Sequence, residues 1–446
     1  MSYRPRFSTL FALSLVLLAA LLAGTAVLLD ISARPPGGKT VVSIRLWDEE
    51  VAAAYRQSFA AFTRAHPDIE VHTHVVSYST YFNTLRTDVA GGSADDIFWI
   101  SNAYLAGYAD SGRLIDVGKT LGPGAASAWE PSVVEQFTRG GVLWAVPQLT
   151  DAGIALYYNA DLLAAAGVGP AELARLRWSP HGADTLRPLL ARLTVDSDGR
   201  TAATAGFDAR RIRQWAYNAA NDPQGIYLNY IGSAGGVFQD GDRFAFDNPG
   251  AIEAFTYLVR LINDDHVAPP ASDTNDNGDF SRNQFLAGRM ALFQSGTYNL
   301  APVADHARFR WGVAMLPEGP KGRVTVTNGI AAAGNSASAN PDAVRQVLAW
   351  IGSNQGNQYV GRLGSAIPAV RSAQKVYFDY WAGKNIDVAA FFAVLNGPRI
   401  AAPGGAGFAA GNQAIKPYFD EMFLGRSDVS TTLRRAQQAA NAAARR

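Results

Sequence analysis

Polar and aromatic side chains directly follow several apolar runs of the sequence. Asp48 and Glu49 come after one run, Tyr78 comes after a second, and Ser101 and Asn102 close a third. Carboxylates, hydroxyls and amides make directional hydrogen bonds, and an aromatic ring offers a flat apolar face. Together these groups suit a small ligand that carries both hydroxyl groups and apolar faces.

Other kinds of chemistry have weaker support. Paired carboxylates can hydrolyse a glycosidic bond, but no pair here stands in two distinguishable environments. His72 and His74 point to the same face of a predicted strand, as two metal ligands would. No third ligand is visible beside them, so a solvated strand face is the simpler interpretation.

One loop has a spacing close to that of a calcium-binding loop, and several stretches are rich in glycine. Residues 273–284 approach the spacing of a calcium loop, but Gln284 stands where such a loop has a bidentate glutamate. The alternative is an ordinary loop in which Asp279 caps the next helix. No stretch has the glycine spacing of a nucleotide-binding loop, which excludes an ATPase. We predict no catalytic residue, no metal site and no cofactor.

Composition limits the partners and the redox chemistry. The 446 residues suggest two or three domains, and 39 basic against 38 acidic residues leave a net charge of +1. A chain without a strong positive field is a poor nucleic-acid binder. The absence of cysteine excludes disulfides, thiolate catalysis and lipid attachment at an N-terminal cysteine.

The first 38 residues predict export and membrane attachment. Arg4 and Arg6 precede an uncharged stretch over residues 7–29, which is long enough to span a bilayer. Basic residues on that side place the N-terminus in the cytoplasm and everything after Lys39 outside. Cleavage near residues 24–26 is the alternative, which would leave the protein periplasmic or secreted.

From residue 39 onward, segments with strand and helix periodicity alternate. Residues 41–47, 69–76 and 96–101 read as strands, each followed by a helical pattern. Strands that alternate with helices predict an α/β fold with a mostly parallel sheet. Ligands of such sheets bind beyond the carboxyl ends of the strands. Strand character resumes near residues 309–317 and 324–333 after a helix-rich stretch.

Several segments, in this order, resemble a known family. The segments are 59–71, 96–117, 141–167, 285–302 with 309–320, and 365–370. They are similar to the extracellular solute-binding proteins of ABC importers, in the carbohydrate-binding group that includes maltose-binding protein. The resemblance covers roughly residue 41 to the C-terminus.

The resemblance implies the periplasmic-binding-protein fold, with two α/β lobes and a ligand cleft between them. The first lobe is expected to comprise residues 39–148 and 297–329, and the second 151–295 and 330–446. Hinges are expected at 149–153, 295–297 and 328–330, where a few residues can absorb a rotation of the lobes.

Strand ends and lobe crossings supply the side chains that a sugar site needs. The expected ligand-binding residues are Asp48, Glu49, Tyr78, Ser101, Asn102, Trp144, Gln148, Asp151, Gly235, Gly236, Tyr298 and Phe408. The resemblance implies that Tyr298 stacks on the sugar and that Gly235–Gly236 lie at the cleft edge of the second lobe. For Asp48 and Glu49 the alternative is the acidic first turn that a helix dipole favours.

The expected function is that of a non-enzymatic receptor. It would capture a carbohydrate outside the cytoplasmic membrane and deliver it to a separate ABC permease with its ATPase subunits. Alternative ligands are a glycerophosphodiester, with Arg399 as a candidate contact, or an amino sugar or polyamine, which would require a surplus of cleft carboxylates. Alternatives of another class are a membrane-tethered glycan-binding protein and a glycoside hydrolase.

Overall fold

The computed structural model describes residues 38–122 and 124–445. Two larger sheets organise these residues. Their strands, in chain order, are β1 (Thr40–Leu46), β2 (Ile69–Val75), β3 (Ile97–Ser101), β4 (Val146–Thr150), β5 (Ala155–Asn159), β6 (Leu292–Ser295), β7 (Trp311–Met315) and β8 (Gly329–Gly334). Shorter strands pair Thr138–Arg139 with Val142–Leu143, Val195–Asp196 with Ile212–Gln214, Gln239–Asp240 with Arg243–Phe244, and Thr325–Val326 with Arg399–Ile400.

Helices cover most of the remaining described chain. The α-helices are α1 (Glu49–Ala65), α2 (Tyr78–Gly91), α3 (Asn102–Asp110), α4 (Val117–Leu121), α5 (Pro131–Gln136), α6 (Ala160–Ala165), α7 (Pro170–Leu173), α8 (Leu186–Leu193), α9 (Leu228–Ser233), α10 (Pro249–Asn263), α11 (Ala271–Thr274), α12 (Phe280–Leu286), α13 (Leu300–His306), α14 (Pro341–Ile351), α15 (Asn354–Arg362), α16 (Lys375–Gly383), α17 (Ala389–Ala393), α18 (Phe408–Phe423) and α19 (Val429–Ala444). A π-helical turn spans Pro223–Tyr227, and 3-10 turns span Ala125–Ala128, Thr297–Asn299, Arg371–Ala373 and Val394–Asn396.

The first sheet brings three helix N-termini to one edge. Its strand order is β2-β1-β3-β8-β4, with β1 parallel to β2 and β3, and β8 antiparallel to both of its neighbours. Because α1, α2 and α3 begin immediately after β1, β2 and β3, their first turns lie together at the carboxyl ends of those strands. The side chains of Phe98, Trp99 and Ile100 are fully buried in the core of this lobe.

The second sheet has three strands in the order β6-β5-β7, and both of its pairings are antiparallel. Its central strand alternates between two cores. Leu156 packs with the large helical cluster, whereas Ala155 and Tyr157 pack on the other face with Phe293, Trp381 and their neighbours. The two-lobed α/β fold is confirmed, although this sheet is antiparallel where a mostly parallel one was predicted.

The chain crosses between the two lobes three times. The first crossing runs from β4 to β5, and the second runs from Val326 to β8. The Asp151 N–H donates to the Asn328 carbonyl at 3.1 Å, so these two crossings lie side by side. The third crossing follows Ala373, which packs in the first core, and precedes Tyr377, which packs in the second. The predicted hinges at 149–153 and 328–330 coincide with the first two crossings. The third predicted hinge, at residues 295–297, lies within the second lobe.

The sheet pairings also correct the predicted lobe boundaries. β7 pairs with β5 of the second lobe, although residues 297–329 were assigned to the first. β8 pairs with β3 and β4, and Val344 of α14 packs in the first core, although everything from residue 330 was assigned to the second. The error has a physical reason. Residue patterns identify a strand, but long-range packing selects its partner.

The predicted signal or anchor at residues 1–37 lies outside the described residues. In the part of the chain that the structure describes, no helix combines the length and apolar character that a membrane span requires.

Candidate functional site

The first lobe places an acidic cap and an exposed tyrosine at the edge where α1 and α2 begin. Asp48 is the N-cap of α1, and its carboxylate accepts a hydrogen bond from the Val51 N–H at 2.9 Å. Burial raises the pKa of Asp48, and the backbone N–H groups of Val51 and Glu50 offset only part of this effect. Glu49 is exposed beside it. Asp48 and Glu49 therefore lie at the acidic start of α1, as the helix-dipole alternative expected, and Asp48 in addition caps the helix.

Tyr78 is the first residue of α2 and has 60% of its surface exposed. Its ring meets the edge of Trp47 at 5.7 Å and that of Phe82 at 5.9 Å. Desolvation nevertheless raises the pKa of the Tyr78 hydroxyl, and the charge of Asp222 raises it further. Tyr78 is therefore an accessible ring at the first turn of α2, packed beside Trp47 and Phe82.

The second lobe contributes an equivalent tyrosine. Tyr298 lies in the 3-10 turn after β6 and is 38% exposed. Its ring lies over Gly296, where any Cβ would overlap the ring. Desolvation raises the pKa of Tyr298, and the charges of Asp222 and Asp151 raise it further.

The charge of Asp222 acts on both tyrosines, and this residue was not predicted from the sequence. It caps the π-helical turn, and its carboxylate accepts a hydrogen bond from the Gly225 N–H at 3.0 Å. Burial raises its pKa. The charge of this carboxylate raises the pKa of Tyr78 in one lobe and of Tyr298 in the other, so both hydroxyls lie within electrostatic range of Asp222.

Asp151 lies on the first crossing between the lobes, within electrostatic range of Tyr298. Its carboxylate accepts a hydrogen bond from the Gln224 side chain at 2.9 Å. Burial raises the pKa of Asp151 to about 7, although hydrogen bonds from Gln224 and the Asn328 backbone lower it in part. Gln224 lies in the π-helical turn that Asp222 caps, and it too was not predicted from the sequence. The sequence signal available was the turn chemistry of Asp222-Pro223-Gln224-Gly225.

Asn102 and Phe408, both predicted ligand contacts, lie where the lobes touch. Ser101 and Asn102 are half-buried at the start of α3. Phe408 is only 6% exposed and stacks on Phe244 with the ring centroids 5.9 Å apart. It therefore belongs mainly to the core of the second lobe, with its edge turned towards Tyr104 of the first.

Gln148 and Trp144 do not face the cleft with the other predicted residues. Gln148 is fully buried and accepts a hydrogen bond from the Tyr55 hydroxyl at 2.7 Å. Trp144 packs against the core of the first lobe, and its indole N–H donates to the Arg139 carbonyl at 3.2 Å. The placement of Gln148 in the site is wrong because β4 carries this side chain inward.

The glycine pair Gly235–Gly236 has a structural role. Gly235 has φ +79°, and the Gly236 N–H donates to the Ile231 carbonyl, which ends α9 in a left-handed cap. A Cβ at Gly236 would lie 2.7 Å from the Ala251 nitrogen. These glycines therefore allow α9 to end in close contact with the start of α10. The position at the cleft edge that the resemblance implied does not account for this packing.

The calcium-like segment begins as the short helix α11. The Asn275 side chain donates to the Asp420 carbonyl at 3.1 Å, and the Lys416 ammonium lies 3.0 Å from Asp276. Within the described ranges, no group of three or more His, Asp or Glu side chains is arranged to hold a metal ion.

Gln148 offers a direct test of its structural role. Gln148→Leu should lower the free energy of unfolding by about 1–3 kcal/mol, because the buried Tyr55 hydroxyl loses its acceptor. Urea unfolding measures this loss. Ligand affinity should stay unchanged in the folded variant. Normal stability combined with lost binding would restore Gln148 to the ligand site.

The chain matches one family model. Residues 47–358 match the model of the bacterial extracellular solute-binding proteins, which is most of the described chain. The chain belongs to this family. The predicted class, a two-lobed receptor that binds a solute, is thereby confirmed.

Individual members differ widely in similarity to this solute-binding protein. The crystal structure of Mycobacterium tuberculosis UspC is 78% identical, covers 90% of this chain and 100% of its own, and has a TM-score of 0.72. The ABC substrate-binding protein Lmo0181 of Listeria monocytogenes, solved with cycloalternan, is 19% identical and has a TM-score of 0.76. The match covers 91% of this chain and 98% of the Listeria chain. A probable ABC transporter-binding protein of Deinococcus radiodurans is 27% identical over 251 residues. That alignment spans 54% of each chain, so this receptor matches about half the length of that relative.

Proposed function

We propose that this solute-binding protein is the receptor of an ABC importer and binds a carbohydrate in the cleft between its lobes. The observation that carries the proposal is the pairing of Tyr78 and Tyr298. Two accessible rings from opposite lobes lie within electrostatic range of one carboxylate, Asp222. Such rings suit the apolar faces of a sugar, and carboxylates with the Gln224 amide suit its hydroxyl groups.

Binding is coupled to closure of the lobes in this proposal. A solute that touches both tyrosines stabilises the arrangement in which they face each other, and the population shifts by its differential affinity. The similar Listeria protein was solved with the oligosaccharide cycloalternan, which supports a carbohydrate as the solute.

The proposed partners are a separate ABC permease and its ATPase subunits. The segment before Lys39 would tether the receptor at the outer face of the cytoplasmic membrane, or would be removed after export. We infer that the receptor does not transform its ligand, since the family comprises binding proteins. Release of new reducing ends from an oligosaccharide incubated with the pure protein would contradict this.

Charge narrows the class of carbohydrate. Asp48, Glu49, Asp151 and Asp222 are the carboxylates of the proposed cleft, and none of them forms an ion pair with an Arg or Lys side chain of the described residues. Unpaired, partly desolvated carboxylates favour a cationic partner and disfavour a phosphate. Arg399, the candidate phosphate contact, donates instead to the Leu395 carbonyl on its own segment. An amine-bearing sugar is therefore the second, narrower candidate.

A thermal-shift screen tests both levels of the proposal. Neutral sugars, amino sugars, phosphosugars and a polyamine are added separately to the protein. A ligand at about 100 times its dissociation constant should stabilise the folded state by roughly 2.7 kcal/mol. The amino sugars should give the largest shift. A shift with neutral sugars alone would overturn the narrower proposal, and a shift with none of the sugars would overturn both.

A further inference from the structure

The two lobes touch directly at a place separate from the three crossings. Asn102, Ala103 and Tyr104 begin α3 in the first lobe, and Gly404 and Phe408 lie before and at the start of α18 in the second. The Tyr104 ring meets Phe408 edge-on at 6.1 Å, and Ala103 packs against the core of the second lobe. We call these five residues the clasp.

Gly404 is the point of closest approach in the clasp. A Cβ at this position would lie 3.1 Å from the side-chain nitrogen (Nδ2) of Asn102 and 3.3 Å from the backbone carbonyl oxygen of Asn102. The three atoms nearest to it all belong to Asn102. The loop cannot easily retreat, because the Gly404 N–H donates to the Gln239 side chain at 2.7 Å and its carbonyl accepts from Gln239 at 3.1 Å. The second lobe thus holds a glycine rigidly against the first.

Charges continue the contact at its rim. Arg139 of the first lobe makes a two-pronged ion pair with Asp110, with nitrogen–oxygen distances of 2.7 and 2.6 Å. The hydrogen bond to Asp110 chiefly raises the pKa of Arg139, and the charge of Asp242 in the second lobe adds to it. Asp242 in turn packs against Gly405, the neighbour of Gly404. The clasp and its rim therefore form one continuous face between the lobes.

We propose that the clasp is a built-in contact that favours the closed arrangement of the lobes whatever solute is bound, and that Gly404 is required for the lobes to approach this closely. The contact consists of protein atoms alone, so its free energy adds to that of any solute. A receptor whose binding-competent arrangement is more populated binds more tightly by the same factor. The clasp therefore sets the baseline affinity, whereas the cleft sets the specificity.

Spin-label distances in the full-length protein, kept in detergent, test the clasp without any solute. The chain has no cysteine, so Thr87→Cys in the first lobe and Asp240→Cys in the second, both exposed, accept labels selectively. Gly404→Val should shift the distances between labels to longer values and lower the ratio of the short to the long population by about tenfold. Adding Asn102→Ala to Gly404→Val should restore part of the short population, because it removes the nearest side-chain atoms.

Two further variants make the result decisive. Gly383→Val is the matched control, since a Cβ at Gly383 meets nothing within 4 Å, and its distances should equal those of the parent. Tyr104→Ala removes the ring of the first lobe and should lengthen the distances without altering residue 404. Unchanged distances in Gly404→Val and Tyr104→Ala would overturn the proposal, as would equal lengthening in the control. The measurement contains no solute, so its failure would leave the carbohydrate proposal standing.

Discussion

Tyr298→Ala should remove most of the thermal shift given by the best ligand while the protein stays folded. The ring is accessible and lies within electrostatic range of Asp222 and Asp151, so a solute bound in the proposed cleft would lie against it. Loss of an aromatic contact at the centre of a site reduces the binding free energy by about 2 kcal/mol or more, which corresponds to a roughly thirtyfold higher dissociation constant. Isothermal titration with the ligand from the screen measures the loss.

Phe378→Ala is the matched control for this variant. Phe378 is 39% exposed, nearly the same as Tyr298, but its ring packs against Phe392 and Tyr377 in the second lobe. Its removal should leave the affinity unchanged. Tyr298→Phe keeps the ring and should retain most of the binding. If Tyr298→Ala binds as the parent does, Tyr298 is not the stacking platform.

Residues placed by local rules could be predicted from the sequence. Asp48 and Tyr78 lie at the first turns of helices that follow parallel strands, and the sheet edge collects such positions whatever the distant contacts are. Asp151 was predicted from its position on a crossing, and the structure places it beside the second crossing.

Residues whose position depends on long-range packing could not. Asp222 caps a π-helical turn and Gln224 lies within it, and such a turn has neither helical nor strand periodicity to reveal it. Gln148 looks like a polar residue at a strand end, but Tyr55 of α1 turns it into a buried hydrogen-bond partner. β7 reads as a strand from residues 311–315, yet only its antiparallel pairing with β5 shows that it belongs to the second lobe.

The buried carboxylate of Asp151 should cost stability, and Asp151→Asn should reveal the cost as a pH dependence. Burial raises the pKa of Asp151 from its ordinary value of 3.8 to about 7 in the folded protein. Between these two pH values the folded state binds more protons than the unfolded state, so the free energy of unfolding falls as the pH rises through this window. The full difference corresponds to about 4 kcal/mol as an upper limit.

Thermal and urea unfolding of the parent and Asp151→Asn between pH 4 and pH 9 test this sign. The variant has no charge to desolvate there, and its amide oxygen can still accept from Gln224. The two proteins should be similarly stable near pH 4, and the advantage of the variant should grow up to about pH 7 and then stay constant.

Asp161→Asn is the control of opposite sign. Hydrogen bonds from Arg310 lower the pKa of Asp161, so its carboxylate stabilises the parent at neutral pH and loses this effect in acid. A constant difference between the parent and Asp151→Asn across the whole range would show that Asp151 is ionised at little cost. In that case the cleft would not hold an unpaired, desolvated carboxylate at its base, and the argument for a cationic sugar would lose its strongest support.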